Sequence, residues 1–171
     1  QMLSEYKANK PTLEKINEIV LSELRRVIKE QGSFVAGVEG RVKTEQSLRG
    51  KLELKGLKYN RLSDITDLVG ARVVTFYQAE VDKIAAIVEK LFEIDWENSV
   101  DKRKLYAIDQ FGYLSLHYIC RIPKTLYCDP DSPAVNEIRF EIQMRTALQL
   151  VWATVNHDTG YKSAIDDSAE Y

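Results

Sequence analysis

At 171 residues the chain fits one domain, with 44% apolar residues, enough for a core, and 29% charged residues, an ordinary hydrated surface. A net charge of −2 excludes a polycationic nucleic-acid binder, so any polyanion must be held by a local basic cluster rather than by the overall field. No apolar run approaches the roughly 18 residues of a membrane span, the opening Gln1 to Asn9 is polar, and Cys120 and Cys128 form neither a CxxC pair nor a cluster with histidine, so reduced thiols, one in the core, in a cytoplasmic compartment are expected.

The elements are expected in a mixed order, without repeats or low-complexity tracts. Leu13, Ile16, Val20, Leu24 and Val27 recur at helical spacing, predicting a helix over 11–31 with Pro11 in its first turn and Gly32 at its stop. Residues 34–43 read as a strand on which Arg41 and Lys43 share one face and Val42 the other. A helix over 45–55 follows, with Thr44 as N-cap and Gly56 beyond its end. It places Ser47 and Lys51 on one face, since they are four residues apart.

The run 69–77 is an apolar strand whose only charge is Arg72, and 79–92 is a helix with Val81, Ile84, Ile87, Val88 and Leu91 inside. A short strand near 93–98 leads to a charged loop with Asp101 to Lys104. Residues 113–122 alternate as a strand with Tyr113, Ser115 and His117 on one face. Pro123, Pro130 and Pro133 mark a loop. A strand over 137–144 then precedes a helix over 146–157 with Leu148, Trp152 and Val155 as its buried stripe. Together these elements predict a two-layer α+β domain with a mixed sheet.

Four clusters place polar groups where a core pattern would not. Arg41, Lys43, Ser47 and Lys51 come from a strand end and the start of the next helix, whose free N–H groups and dipole favour a phosphate chain; the same residues would also make a solvated patch. Asp67, at the entry of a buried strand, can bind a hard cation such as Mg²⁺ through oxygen, while Asp64 or Asp67 could equally cap a turn. Tyr113, Ser115 and His117 offer a ring for a nucleobase, or the wet side of a sheet. Arg139, Glu141, Gln143 and Arg145 alternate with Phe140, Ile142 and Met144, which suggests a lined cleft or an open sheet face. His157, Tyr161 and Lys162 follow at the far end of the last helix, where a lone histidine is more often a structural cap than a catalyst. Two separated carboxylates, several cations and a ring form a phosphoryl- or pyrophosphoryl-transfer site. No Walker A or glycine-rich loop is present, so a nucleotide would not sit in a P-loop. The residues alone reach a nucleotide-polyphosphate site but not the reaction.

The blocks RVKTEQSLRGKL, DITDLVGARVV, FGYLSLHY and FEIQMRT followed by VWATVNHDTGYK, spanning 41–162, resemble the synthetase domain of the RelA/SpoT family, most closely its small alarmone synthetases. The resemblance implies a single synthetase domain of nucleotidyltransferase-like fold over 1–171. Its implied activity moves the β,γ-pyrophosphate of ATP to the 3′-hydroxyl of GDP or GTP with Mg²⁺. It also implies that Arg41 and Arg72 sandwich adenine and that Lys43, Ser47 and Lys51 contact the ATP phosphates. Asp67 would ligate the metal, and Glu141 would help hold it and activate the hydroxyl. Tyr113 would stack on the acceptor guanine, with His117, Gln143, Arg145 and His157 in the same pocket. Members often carry C-terminal helices that build an oligomer, so a homo-oligomer is one expectation. The family usually reads Pro-Lys-x-Asn-Gly-Tyr where this chain has Ile108 to Tyr113, with Asp109 in place of the lysine. That exchange keeps other acceptors open, an adenosine nucleotide or the 3′ end of tRNA, unless Lys102, Arg103 and Lys104 restore the charge. A catalytically silent nucleotide- or RNA-binding module is a further alternative, against which the two carboxylates speak.

Overall fold

The computed structural model describes residues 1–55, 58–101 and 115–155. Its elements are α1 (Met2–Glu30), β1 (Val35–Val42), α2 (Glu45–Lys55), a 3-10 turn (Leu62–Asp64), β2 (Val69–Thr75), α3 (Gln78–Leu91), β3 (Glu93–Ile94), β4 (Val100–Asp101), β5 (Leu116–Arg121), α4 (Ala134–Glu137) and β6 (Phe140–Thr146). A further helix, α5, covers 147–155.

The strands form one mixed sheet in the order β1-β2-β6-β5-β3, with β4 also paired to β5. Among the described residues only the β2–β6 pair is parallel; the other pairs are antiparallel. Period-2 alternation decides which face each strand buries. Val69, Ala71 and Val73 of β2 and Phe140, Ile142 and Met144 of β6 are buried in one cluster with Leu13, Ile16, Val20 and Leu24 of α1 and Ile84, Ile87 and Val88 of α3. Removing these side chains from water, at ~1.5–3 kcal/mol for each large aliphatic one, is what holds the helical layer to the sheet. The residues between them, Gly70 and Arg72 on β2 and Glu141, Gln143 and Arg145 on β6, are only half-buried and lie on the opposite face. The expected two-layer α+β domain with a mixed sheet is the observed one.

Several expectations need correction. The first helix begins at Met2, not at 11, and Pro11 lies inside it. Proline has no N–H for the carbonyl one turn back. The preceding turns are nevertheless held by burial of Tyr6, whose hydroxyl donates to the Lys43 carbonyl at 2.7 Å. The strand expected over 69–77 stops at Thr75, and Phe76 and Tyr77 are exposed. The last strand starts at Phe140 because a helical turn, α4, occupies 134–137.

The buried stripe expected on α5 faces outward: Leu148, Trp152 and Val155 are 66%, 46% and 51% exposed. A reciprocal cap sets the rotation of this helix. The Thr146 N–H donates to Gln149 Oε1 at 2.9 Å and the Gln149 N–H to Thr146 Oγ1 at 3.2 Å. Gln149 then turns inward and its amide donates to Gln78 Oε1 at 3.0 Å, tying α5 to the start of α3. The expected thiol states hold, with Cys120 buried, Cys128 exposed and both unpaired. Among the described residues no helix is long and apolar enough to cross a membrane.

Candidate active site

Sheet register assembles the site. Arg41 of β1 pairs with Gly70 of β2, which pairs with Glu141 of β6. One step along, Glu39, Arg72, Gln143 and His117 form a row across four strands. Registered residues project to the same side, so both rows open on the face that carries no helical layer. A cavity of about 230 Å³ lies there, lined by Glu39, Gly40, Arg41, Asp67, Gly70, Ala71, Arg72, Glu141 and Gln143. Gly70 matters in the middle of it: a Cβ there would meet nothing within 4 Å, so the floor between Arg41 and Glu141 is open space.

Asp67 stands just before β2 and is clasped by two lysines. Lys43 Nζ lies 3.1 Å from Oδ2 and Lys51 Nζ 2.6 Å from Oδ1. Both lysines arrive by local structure. The Lys43 N–H donates to the Leu68 carbonyl at 2.7 Å, locking the end of β1 to the residue beside Asp67. Thr44 caps α2 by accepting the Ser47 N–H on its hydroxyl at 3.2 Å, as expected, and Lys51 follows one turn after Ser47. Burial pushes the Lys51 ammonium down, but the hydrogen bond and charge of Asp67, with Tyr59, outweigh it and leave the pKa raised. Its Nζ also sits 5.5 Å from the Tyr59 ring centre. Ser47 is exposed on the same helix.

Glu141 belongs to a polar chain. Gln143 Nε2 donates to Glu141 Oε1 at 2.5 Å, and an Arg145 guanidinium N–H donates to Gln143 Oε1 at 3.2 Å. His117 Nδ1 lies 3.5 Å from Glu141 Oε1, while His117 Nε2 and Ser115 Oγ are 2.6 Å apart. Burial lowers the Arg145 pKa, and the neighbouring Arg72 charge lowers it further against the pull of Glu141. The Nε atoms of Arg72 and Arg145 are buried with no hydrogen-bond partner among the described residues.

Of the residues singled out from sequence, Arg41, Asp67, Arg72, Glu141 and Gln143 meet in the cavity. Lys43 and Lys51 join through Asp67, and His117 and Arg145 through the chain to Glu141. Arg139 does not join them. Its guanidinium bonds Asp95 Oδ2 at 2.9 Å and the Ser63 carbonyl at 3.0 Å, a structural tie. Asp64 is a turn cap: its Oδ2 accepts the N–H groups of Asn60 and Arg61 at 2.8 and 2.9 Å. Tyr113, His157, Tyr161, Lys162, Asp109 and the basic run Lys102 to Lys104 lie outside the described residues. The sequence reading missed Glu39, which period 2 on β1 places beside Arg41. It also missed Tyr6, hidden because it precedes Pro11.

The two carboxylates fit a hard divalent cation. Both border one cavity and offer only oxygen donors, and a cation of this class is commonly held by one or two carboxylates together with substrate phosphates. Among the described residues no group of three or more His, Cys, Asp and Glu side chains could hold an ion by itself.

Comparison with known proteins bears on what the cavity serves. GTP pyrophosphokinase YjbM of Bacillus subtilis (strain 168) is 30% identical over 126 residues, covering 73% of this chain and 56% of that protein. The chain thus spans a little over half the length of the curated relatives it matches. A GTP pyrophosphokinase family protein from Streptococcus pneumoniae superimposes with a TM-score of 0.68 at 27% identity, covering 95% of this chain and 79% of that one. Small alarmone synthetase 1 from Bacillus subtilis, solved with its product pppGpp, gives a TM-score of 0.72 at 19% identity, covering 94% and 82%. These likenesses identify the fold as the nucleotidyltransferase-like one of the alarmone synthetases. The sequence model for the region found in RelA/SpoT proteins matches residues 40–166, well over half of the chain and every block that builds the cavity, so the chain belongs to the RelA/SpoT family.

Proposed function

We propose that this chain transfers the β,γ-pyrophosphate of ATP to the 3′-hydroxyl of GDP or GTP, releasing AMP. The observation that carries the reading is the single cavity in which Arg41, Asp67, Arg72, Glu141 and Gln143 meet on one sheet face, inside the family-matched stretch. Relatives that bear the name GTP pyrophosphokinase and a neighbour solved with pppGpp support the same reaction.

In this reading Arg41 and Arg72 hold the adenine, and Lys43, Ser47 and Lys51 hold the triphosphate at the start of α2. Asp67 and Glu141 would hold Mg²⁺ together with phosphate oxygens; when bound, the ion neutralises charge on the transferring group. Glu141 takes the proton of the acceptor 3′-hydroxyl as the new O–P bond forms and the bond between the α- and β-phosphates breaks. Gln143 and His117, both against Glu141, fix the carboxylate for that task. Tyr113, and with it His157 and Arg145, would line the acceptor side. Most of the work is positioning and charge neutralisation, as phosphoryl chemistry requires.

Asp109, standing where the family has a lysine, makes the acceptor the point to test. The protein is incubated with γ-labelled ATP, Mg²⁺ and, separately, GDP, GTP, an adenosine nucleotide or tRNA, and the products are separated. Label on the guanosine nucleotide is the expected result. Label on the adenosine nucleotide or tRNA alone would move the activity to that acceptor, and label on none would leave a nucleotide-binding module.

A further inference from the structure

We infer that Glu39 selects the base of the donor nucleotide, favouring a purine with an exocyclic amino group at the position where adenine carries one. The inference rests on the donor reading above, in which Arg41 and Arg72 hold the base. Glu39 and Arg41 are two residues apart on β1 and so face the same side of the sheet, and Arg72 is the direct cross-strand partner of Glu39. All three border the cavity. Two guanidinium planes alone cannot choose a base, because every base offers a π-face. Choice requires a group that reads an edge.

Glu39 is placed for that. Its Oε2 accepts from an Arg72 guanidinium N–H at 2.6 Å. Its Oε1 takes no hydrogen bond among the described residues and remains an acceptor at the cavity wall. An ionised carboxylate accepts hydrogen bonds and donates none. It therefore attracts the amino group of adenine and repels the carbonyl oxygen that hypoxanthine and guanine carry there. Stability of the fold does not account for the residue. Glu39 is 68% exposed, and an ion pair that open to water adds little stability.

The test compares ATP with purine riboside 5′-triphosphate, which lacks only the amino group, as competitors of a fluorescent ATP analogue on the protein with Mg²⁺. Purine riboside is chosen over GTP because a guanine can enter the acceptor side. In the wild type, ATP is expected to displace the analogue about tenfold more tightly, the effect of one charge-assisted hydrogen bond partly open to water. In Glu39→Ala the ratio is expected to fall to near one, with the whole loss on the ATP arm. The purine riboside arm then doubles as the check that the variant is folded. Equal displacement by the two nucleotides in the wild type overturns the inference. So does an equal loss on both arms in Glu39→Ala, which would mean that Glu39 acts only by holding Arg72. If neither triphosphate displaces the analogue from the wild type, it is the donor reading itself that fails.

Discussion

Replacing Asp67 by Asn should make the protein bind metal-free ATP more tightly while ending its turnover. The effect originates in the clasp. Lys51 and Lys43 reach Asp67 at 2.6 and 3.1 Å, and their side chains are only 23% and 11% exposed. At an effective dielectric of ~20 these separations correspond to roughly 6 and 5 kcal/mol of gross attraction. Most of that is offset by the cost of taking the charges out of water, which leaves a net of about 1–2 kcal/mol. A triphosphate arriving without a cation must draw both lysines off the carboxylate and then sit beside an uncompensated negative charge. With a cation present, Asp67 would hold the ion in place of its lysines and the lysines would be free for phosphate, so no charge would be left bare. A neutral amide in place of the Asp67 carboxylate would remove the cost from the metal-free case alone. The expected gain is about 5- to 30-fold in affinity for ATP in EDTA. The measurement is displacement of a fluorescent ATP analogue, with and without Mg²⁺, alongside a turnover assay. Equal or weaker metal-free binding by Asp67→Asn would refute the argument that Asp67 and the phosphates compete for the same lysines. Retained turnover would refute its assignment to the metal.

Glu141→Gln should lower kcat by ~10²–10⁴ while the melting temperature changes little, because the isosteric amide keeps the packing but cannot take the acceptor proton; near-normal turnover would remove Glu141 from the chemistry. Gly40→Ala should destabilise the fold by up to about 1 kcal/mol in urea unfolding, since its Cβ would lie 2.5 Å from Asn17 Oδ1 and 2.9 Å from both Leu21 methyls of α1, and these side-chain ends must move aside. Gly37→Ala, whose Cβ meets nothing within 4 Å, serves as the control and should be neutral or gain ~0.4–1 kcal/mol; similar losses in both would rule out a close approach of α1 as the cause. For Asp95, burial pushes the pKa up, but the hydrogen bonds from Arg139 and Asn98 outweigh it and hold it below the ordinary 3.8. A depressed carboxylate contributes stability above its unfolded pKa and loses it as pH falls through the folded value. Asp95→Asn should therefore cost stability near pH 7, with the difference from wild type shrinking below about pH 4; a difference that stays constant down to pH 2 would disconnect the Arg139 tie from acid sensitivity.

What could be read from the sequence was what depends on period alone. β6 alternates, so Glu141, Gln143 and Arg145 could be placed on one face before any partner was known, and the structure puts them there. The start of α2 could be read because Thr44 is a local cap, and the cap places Ser47 and Lys51. What failed depends on contacts distant in sequence. Pro11 breaks a helix by local rules, yet burial of Tyr6 and its bond to the Lys43 carbonyl carry α1 back to Met2. On α5 the apolar spacing of Leu148, Trp152 and Val155 predicts an inward stripe, but the Thr146–Gln149 cap turns the helix so that Gln149 is inside. That cap has the Thr-x-x-Gln signature, a local signal that outweighs the apolar spacing here. Arg139 shares the period of Glu141 but is drawn away by Asp95, 44 positions earlier, which no period can show.

The same contrast explains why the family blocks are scattered along the chain while the cavity is one place. No block holds both carboxylates or both arginines. Asp67 and Arg72 come with β2, Arg41 with β1, and Glu141 with β6, and these strands are neighbours because β6 inserts beside β2 in parallel. A parallel neighbour needs a long crossover, which here includes α3, β5 and α4. The register then fixes which residues meet. A slip of one residue between β2 and β6 would bring Ile142 or Phe140 opposite Gly70 and turn Glu141 towards the helical layer. Burying a carboxylate there would cost several kcal/mol, and the apolar face of β6 would be lost to water. Packing of Phe140, Ile142 and Met144 on one side of the sheet therefore selects the register that assembles Glu39, Arg41, Arg72, Glu141 and Gln143 on the other.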